Sequence, residues 1–308
     1  MRYDGAQCIA ARLRAAWRRL ELATRPVAPA TAAVLARRWA ELPEAVRTPA
    51  QALGRQGVGC EGTHGVFPRC DFSCRPCYHC ADANKVRTDG AHTVIEIEQQ
   101  MAYLREQRGP HAHAQLIGGE VSLLDPDDHA AALLAMRRYG REPMSFTHAD
   151  VDDDYLKRLV LGPDGRPRLR RVSFAAHFDS LMRGRRGIPR PRRESDLNPY
   201  RARFCEQLRR LRRDYGVRTY AAHNMTVTPA NLDQVADVVR DCEHLGYAMF
   251  SFQPAAYVGD ERRWREEFRA ITDDEVWAEI ERGAGTRLPW QAVQIGDPRC
   301  NRAAYGLL

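Results

Sequence analysis

The sequence predicts an α/β protein: a partial, open (βα)6 TIM-type barrel preceded by an N-terminal helical extension. Short apolar runs alternate with helical patterns six times from residue 63 to about residue 271, the signature of a parallel sheet built by crossover connections. Polar residues gather where these runs end, at Glu120, His148, His177 with Asp179, His223 with Asn224, and Gln253. Parallel α/β folds place their sites at such strand ends. Six units are too few to close an eight-stranded barrel.

Taken in order, Ile9, Leu13, Trp17 and Leu20 form a helical stripe that Pro26 and Pro29 end. Val34, Leu35, Trp39 and Leu42 predict a second helix closed by Pro43. Gly54, Gly57, Gly59 and Gly62 mark a linker. The expected organisation is a helical extension and linker over residues 1–58, a barrel over 59–260 and a helical C-terminal segment over 261–308. The abrupt stop at Leu308 leaves room for a longer native chain.

Within the barrel, Gly65–Pro68 is the first expected strand. A helix over Ile95–Arg108 follows, with Ile97, Met101 and Leu104 on one face. The second strand, Ala114–Ile117, ends in Gly118-Gly119-Glu120. Asp125-Pro126-Asp127-Asp128 caps a helix reaching about Tyr139, its acidic residues suiting the positive N-terminal end. Then come strand Met144–Thr147, helix Asp152–Leu161 and strand Arg171–Phe178. Beyond an arginine-rich insertion lie helix Pro199–Tyr215, strand Val217–Val227 and a helix from Pro229 to Leu245. The sixth strand is Tyr247–Phe252, and its helix falls within Asp260–Ile271.

The 308 residues are 44% hydrophobic and 28% charged, a balance that supports a buried core and excludes a disordered polymer. No apolar run has the length of a bilayer span, and the N-terminus lacks a signal-type apolar region, so a cytoplasmic protein is expected. The net charge is +7, yet Lys85 and Lys157 are the only lysines among 47 basic residues. That bias points to coding background more than to nucleic-acid binding, and no nucleic-acid module or internal repeat is visible.

Nine cysteines in such a chain argue against a disulfide framework. Cys8, Cys60, Cys205, Cys242 and Cys300 are scattered, whereas Cys70, Cys74, Cys77 and Cys80 fall within eleven residues. The C-x3-C-x2-C spacing of the first three, in a loop after a strand, suits an iron–sulfur cluster. Three thiolates hold three irons of a [4Fe–4S] cube and leave the fourth open to a small molecule, as catalytic zinc sites keep a vacant position. The competing reading is a zinc site. Structural zinc usually draws on two separated cysteine pairs, and no second pair is present. Cys80 is a spare ligand, a thiol near the site or an inert cysteine. Cys60 and Cys300 are too isolated to make an auxiliary cluster on their own.

With Cys70, Cys74 and Cys77 followed one βα unit later by Gly118-Gly119-Glu120, the chain resembles the radical SAM (S-adenosylmethionine) superfamily over roughly residues 63–260. The resemblance implies a [4Fe–4S] cluster on the three cysteines, its open iron chelated by the amino and carboxylate groups of SAM. It implies that Gly118, Gly119 and Glu120 meet the methionine amino group. Glycines admit close backbone approach, and a carboxylate accepts from an ammonium. One-electron reduction of SAM then gives a 5′-deoxyadenosyl radical that abstracts hydrogen from a peptide or small metabolite. The electron comes from a donor such as flavodoxin or ferredoxin.

Two departures stand out. Pro76 occupies the usual aromatic position before the third cysteine, so Tyr78 takes the adenine contact; Val121 replaces a frequent proline. Asn224 and Gln253 are candidates for ribose and adenine. His177, Asp179 and Cys80 are the candidate catalytic residues, the first two equally readable as hydrogen-bonding residues of the barrel mouth. His148 reads as a structural histidine. The arginine-rich stretch 183–193 reads as a solvated loop, with an anion-binding lid as its functional alternative. No cobalamin-binding segment is recognisable. The alternative for the whole chain is a non-catalytic cysteine-rich scaffold or sensor binding zinc or an iron–sulfur cluster.

Overall fold

In the computed structural model the residues described are 12–14, 16, 24–26, 29–41, 55–57, 61–108, 112–256, 258–264, 269–290 and 301–304. Five strands form one open half-barrel: β3 (Ala112–Leu116), β4 (Arg141–Thr147), β5 (Arg171–His177), β6 (Arg218–Val227) and β7 (Met249–Pro254). Each pairs in parallel with the next in chain order. Helices α2 (Gly90–Arg108), α3 (Pro126–Arg138), α4 (Asp153–Val160), α5 (Asn198–Tyr215) and α6 (Val235–Leu245) accompany them.

Strand alternation divides the side chains between two faces. On β5, Val172, Phe174 and Ala176 point to the helices and are almost fully buried. Phe174 meets Phe204 of α5 edge-on, with 5.8 Å between ring centroids. Ile97, Met101, Leu133, Met136, Leu159 and Leu208 extend this core, each buried aliphatic side chain contributing about 1.5–3 kcal/mol. The opposite parity, Ser173, Ala175 and His177, faces the concave side. Register carries the row from His177 to Asn224 on β6 and Ser251 on β7.

The expected first strand is reduced. Gly65–Pro68 is bent, and the parallel bridge to β3 lies earlier, at Gly62 opposite Gln115. The Thr63 amide donates to the Gln115 carbonyl and the Gln115 amide to the Glu61 carbonyl, both at 2.9 Å. Gly65 has φ +72°, a left-handed conformation that turns the chain out of strand geometry. Pro68 has no amide to continue a ladder.

Three further expectations shift. The glycine-rich linker contains a strand: β2 (Arg55–Gly57) pairs antiparallel with β1 (Thr24–Pro26), which precedes α1 (Pro29–Glu41). The helix expected from Pro229 begins only at Val235. Asn231 folds the preceding residues into a turn, accepting from the Thr228 amide at 2.8 Å and donating to the Thr226 carbonyl at 3.0 Å. The helix expected within Asp260–Ile271 falls partly outside the described residues, which hold a short 3-10 turn at Glu261–Arg263 there, and the last helix among the described residues lies further on. It is α7 (Asp273–Ala284), started by a reciprocal capping box between Thr272 and Glu275. A Cβ on Gly283 would lie 2.7 Å from the Ala236 carbonyl, so glycine is what lets α7 pack tightly on α6.

Of the N-terminal stripe, Leu13 is exposed in a helical stretch, while Ile9, Trp17 and Leu20 lie outside the described residues, as do Cys8, Cys60 and Cys300. Among the described residues no helix is long and apolar enough to cross a membrane.

Candidate functional site

The cysteine loop is held against the C-terminal ends of three strands. After β3, the amides of Gly119 and Glu120 donate to the carbonyls of Phe67 and Arg69 at 2.7 and 2.8 Å. A Cβ on Gly118 would fall 2.7 Å from the Phe67 ring, and one on Gly119 only 2.0 Å from the Arg69 carbonyl oxygen. The space freed by both glycines is therefore filled by the loop itself. After β5, the carbonyls of Arg183 and Leu181 accept from the amides of Ser73 and Arg75 at 2.9 and 3.1 Å. Within the loop, Asn84 accepts from the Cys70 amide and donates to the Phe72 carbonyl. The Arg263 guanidinium reaches the carbonyls of Cys74 and Cys80.

Cys70, Cys74 and Cys77 are partly buried and Cys80 is exposed. Burial pushes the Cys70 thiol far up, with the Glu120 charge adding to it. Burial, then the Asp179 charge, raises Cys74 to about 12, and burial also raises Cys77. These thiols are protonated at neutral pH, so each must release a proton to become a ligand.

The donor spacing discriminates between centres. Among the described residues the one group of three ligand atoms mutually within 4.8 Å is Cys70, Asp71 and His148; no three of the loop thiols come that close together. Tetrahedral zinc with bonds of about 2.3 Å brings its sulfurs to about 3.8 Å from one another. No three of the loop thiols stand at the spacing of a single tetrahedral zinc ion.

The Cys70, Asp71 and His148 group is a hydrogen-bonded one. His148 Nδ1 accepts from the Asp150 amide at 3.1 Å, which puts the ring proton on Nε2. Nε2 donates it to Asp71 Oδ1 at 2.8 Å. A metal at Nε2 would displace that proton and break both bonds. Burial alone would raise Asp71, but the hydrogen bond from His148 outweighs it and holds the carboxyl low.

Glu120 is buried and accepts four hydrogen bonds: from Ser122 N–H and O–H at 3.0 and 2.6 Å, Thr147 O–H at 2.7 Å and His148 N–H at 2.8 Å. That is about the full capacity of a carboxylate. Its side chain ties the end of β3 to the end of β4. Tyr78 is exposed, with its hydroxyl 3.5 Å from the Gly118 carbonyl. Burial of the hydroxyl, then the charges of Cys77 and Cys70, raise it to about 12.

A second cluster lies on the concave row. His177 Nε2 and Asp179 Oδ2 are 2.5 Å apart, and Asn224 Nδ2 donates to His177 Nδ1 at 2.8 Å. Asp179 also accepts from the amides of Leu181 and Thr226. Burial pulls the His177 pKa down, but the Asp179 charge and hydrogen bond prevail and hold it above the ordinary value. Asn224 Oδ1 is buried without a partner, an acceptor facing the concave side.

The structure thus brings Cys70, Cys74, Cys77, Tyr78 and Gly118–Glu120 together, and joins His177, Asp179 and Asn224 next to them through residues 181–183. Gln253 stands apart, exposed on β7 opposite Thr226. Cys80 lies at the exposed end of the loop. Asp71 and Arg263 were not singled out from sequence and carry no local signal. His148 was read there as a structural histidine at a strand end, and Arg185 only as one member of the arginine-rich stretch 183–193.

Fold and site together define a parallel half-barrel with a cysteine loop across its strand ends. No protein-family model and no curated protein matches the chain. Among solved structures it is similar to native anSMEcpe with bound AdoMet and Cp18Cys peptide, at TM-score 0.43 and 11% identity, covering 76% of this chain and 62% of that one. It is similar to TYW1 with a lysine-pyruvate adduct bound, at TM-score 0.41 and 11% identity, covering 74% and 72%. A radical SAM methyltransferase from Sphaerobacter thermophilus gives TM-score 0.42 and 13% identity, covering 78% and 65%. The chain thus spans 62% of the length of the first of these.

Proposed function

We propose that this chain is a radical SAM enzyme with a [4Fe–4S] cluster on Cys70, Cys74 and Cys77. The observation that carries the reading is the set of three thiols on one pinned loop, no three loop thiols lying within 4.8 Å of one another, at the strand ends of a parallel half-barrel. With SAM bound, such a cluster supplies one-electron reductive cleavage and a 5′-deoxyadenosyl radical that removes a hydrogen atom from substrate.

The chain's own residues hold and orient. Gly118 and Gly119 let the loop seat on the end of β3, and Glu120 locks the ends of β3 and β4. Gly118, Gly119 and Glu120 would hold the methionine end of SAM at this junction. Tyr78, Asn224 and Gln253 would hold its nucleoside, with Asn224 Oδ1 an acceptor that has no partner in the protein. His177 and Asp179 face SAM or substrate from the concave side. Cys80, exposed at the loop end, remains the third catalytic candidate. The substrate is a peptide or small metabolite, and the electron comes from a carrier of the flavodoxin or ferredoxin kind. Residues 59–260 make the catalytic barrel, flanked by the extension of residues 1–58 and the segment 261–308. A reducing cytoplasm suits exposed thiols of this kind.

The test is anaerobic reconstitution with iron and sulfide, iron counting, and electron paramagnetic resonance of the reduced protein with and without SAM. About four irons per chain and a spectrum altered by SAM are expected, both lost in Cys74→Ala. One zinc and no iron would support the scaffold alternative instead.

A further inference from the structure

The exposed arginine side chains of the segment after β5 have no part in the function proposed above. Residues 183–193 contain six arginines and no acidic residue. Rather than a loose solvated loop, they form a built ledge. The Gly184 amide donates to the Pro189 carbonyl at 3.0 Å, and the Ile188 amide to the Arg185 carbonyl at 3.2 Å. Arg185 turns inward and is buried, its guanidinium 4.6 Å from the centre of the Phe178 ring and bonded to the His148 carbonyl. Arg186 is anchored on Asp150. The amides of Arg192 and Arg193 sit on the Asp196 carboxylate. The backbone is thereby fixed, and the side chains of Arg190, Arg192 and Arg193 stand exposed.

The ledge abuts the cysteine loop. The Arg183 carbonyl is bonded to the amide of Ser73, the residue before Cys74, and the Leu181 carbonyl to that of Arg75. Ser73 and Arg75 are exposed, so this is the solvent side of the loop. The row of His177, Asn224 and Ser251, assigned to SAM or substrate above, runs across the concave face of the sheet.

We propose that this ledge is the docking surface for an acidic one-electron carrier protein. The proposal rests on the cluster assigned to Cys70, Cys74 and Cys77. A fixed patch of one charge beside a redox centre raises the encounter rate of an oppositely charged partner and orients it, an effect that salt weakens. Guanidinium groups suit the role because they are weakly hydrated and pair with carboxylates through two parallel bonds. Nucleic acid is the other polyanion, but residues 183–193 contain no aromatic side chain on which a base could stack. The step is a single electron transfer: the carrier is oxidised by one electron, the cluster reduced by one, and no bond or proton moves.

The experiment uses the full chain after reconstitution, with iron counted first, and a flavodoxin hydroquinone as the probe. Cluster reduction is followed by stopped flow at low and high salt, against dithionite as a small reductant. Arg190→Glu/Arg192→Glu/Arg193→Glu is compared with the triple lysine replacement. Reduction by flavodoxin is expected to slow at least about tenfold in the charge-reversed protein and to lose most of its salt dependence. The lysine variant keeps the wild-type rate, and dithionite reduces all three proteins equally. Equal flavodoxin rates in wild type and reversed protein would overturn the docking proposal while leaving the cluster reading intact. So would loss of RNA binding in the reversed protein with flavodoxin reduction unaffected. A wild-type chain that takes up no iron would overturn the cluster reading and the docking proposal with it.

Discussion

The imidazole of His148 lies flat on the ring of Phe72, with 3.8 Å between centroids and 11° between planes. Phe72 sits between Cys70 and Cys74, and the same imidazole donates to Asp71 beside it. One side chain from the end of β4 therefore clamps the middle of the cysteine loop by stacking and by a hydrogen bond. Its amide is held in turn by Glu120.

His148→Ala should loosen the loop, lower stability by about 2–3 kcal/mol and cut cluster incorporation to less than half. His148→Phe keeps the stacking and loses the bond to Asp71, so it should fall between the two. Denaturant melts give the first quantity, and iron content with the reduced-state spectrum gives the second. Wild-type incorporation in His148→Ala would show that the loop does not need the clamp.

Gly119→Ala places a methyl 2.0 Å from the Arg69 carbonyl oxygen, a backbone atom that cannot swing away. The loop must shift, at a cost of about 1–3 kcal/mol. Cluster loading should drop more steeply than stability, because the displaced backbone leads directly into Cys70. Gly165→Ala is the control. It has open space around it but a strained φ of +73°, so it should lower stability while leaving loading unchanged.

Buried histidines set the acid limit of the fold. Burial, then the Arg168 charge, lowers His129 from 6.5 to about 3; burial, then Arg201, depresses His223 well below its ordinary value. Both are neutral in the folded chain. Below pH 6.5 the unfolded chain binds protons that the folded chain refuses, so stability falls as pH drops toward 3. Each group contributes a slope approaching about 1.4 kcal/mol per pH unit. His177 has the opposite sign: its contribution is complete below 6.5 and is lost as pH rises through its raised folded pKa. His129→Gln should flatten the slope between pH 4 and 6 by about one proton; an unchanged slope would contradict the assignment.

The sequence made the repeating architecture legible because strand periodicity and helix stripes are local. The helix ending at Tyr215 and the strand ending at Val227 fall where residue patterns place them. What it left hidden was long-range or backbone-borne. No pattern announces that Gly65–Pro68 gives up strand pairing while the carbonyls of Phe67 and Arg69 accept hydrogen bonds from Gly119 and Glu120. The cysteine motif was legible from spacing alone. Asp71 was not, since its role exists only once the ends of β3 and β4 meet; His148 was legible as a structural histidine but not as a clamp, and Arg185 only as part of an arginine run. The start of α7 was legible in principle, through the Thr-x-x-Glu box at Thr272, which lies within the segment 261–308 expected to be helical but past the Asp260–Ile271 span expected for the sixth barrel helix.

Arg201 and Glu194 are fully buried and 2.9 Å apart, with Glu194 also accepting from the Ser180 amide and Asn231. Arg201→Met leaves a buried carboxylate uncompensated and should cost about 3–5 kcal/mol. Adding Glu194→Gln should restore much of that loss, as a thermal or denaturant cycle of the four proteins will report.

The central claim is that the three-thiol loop supports reductive cleavage of SAM. Its most direct test is 5′-deoxyadenosine formed from SAM and dithionite by the reconstituted protein, with Cys74→Ala in parallel. The account predicts product from the wild type and none from the variant. Equal product from both, or none from a wild-type protein carrying a full cluster and binding SAM, would contradict it.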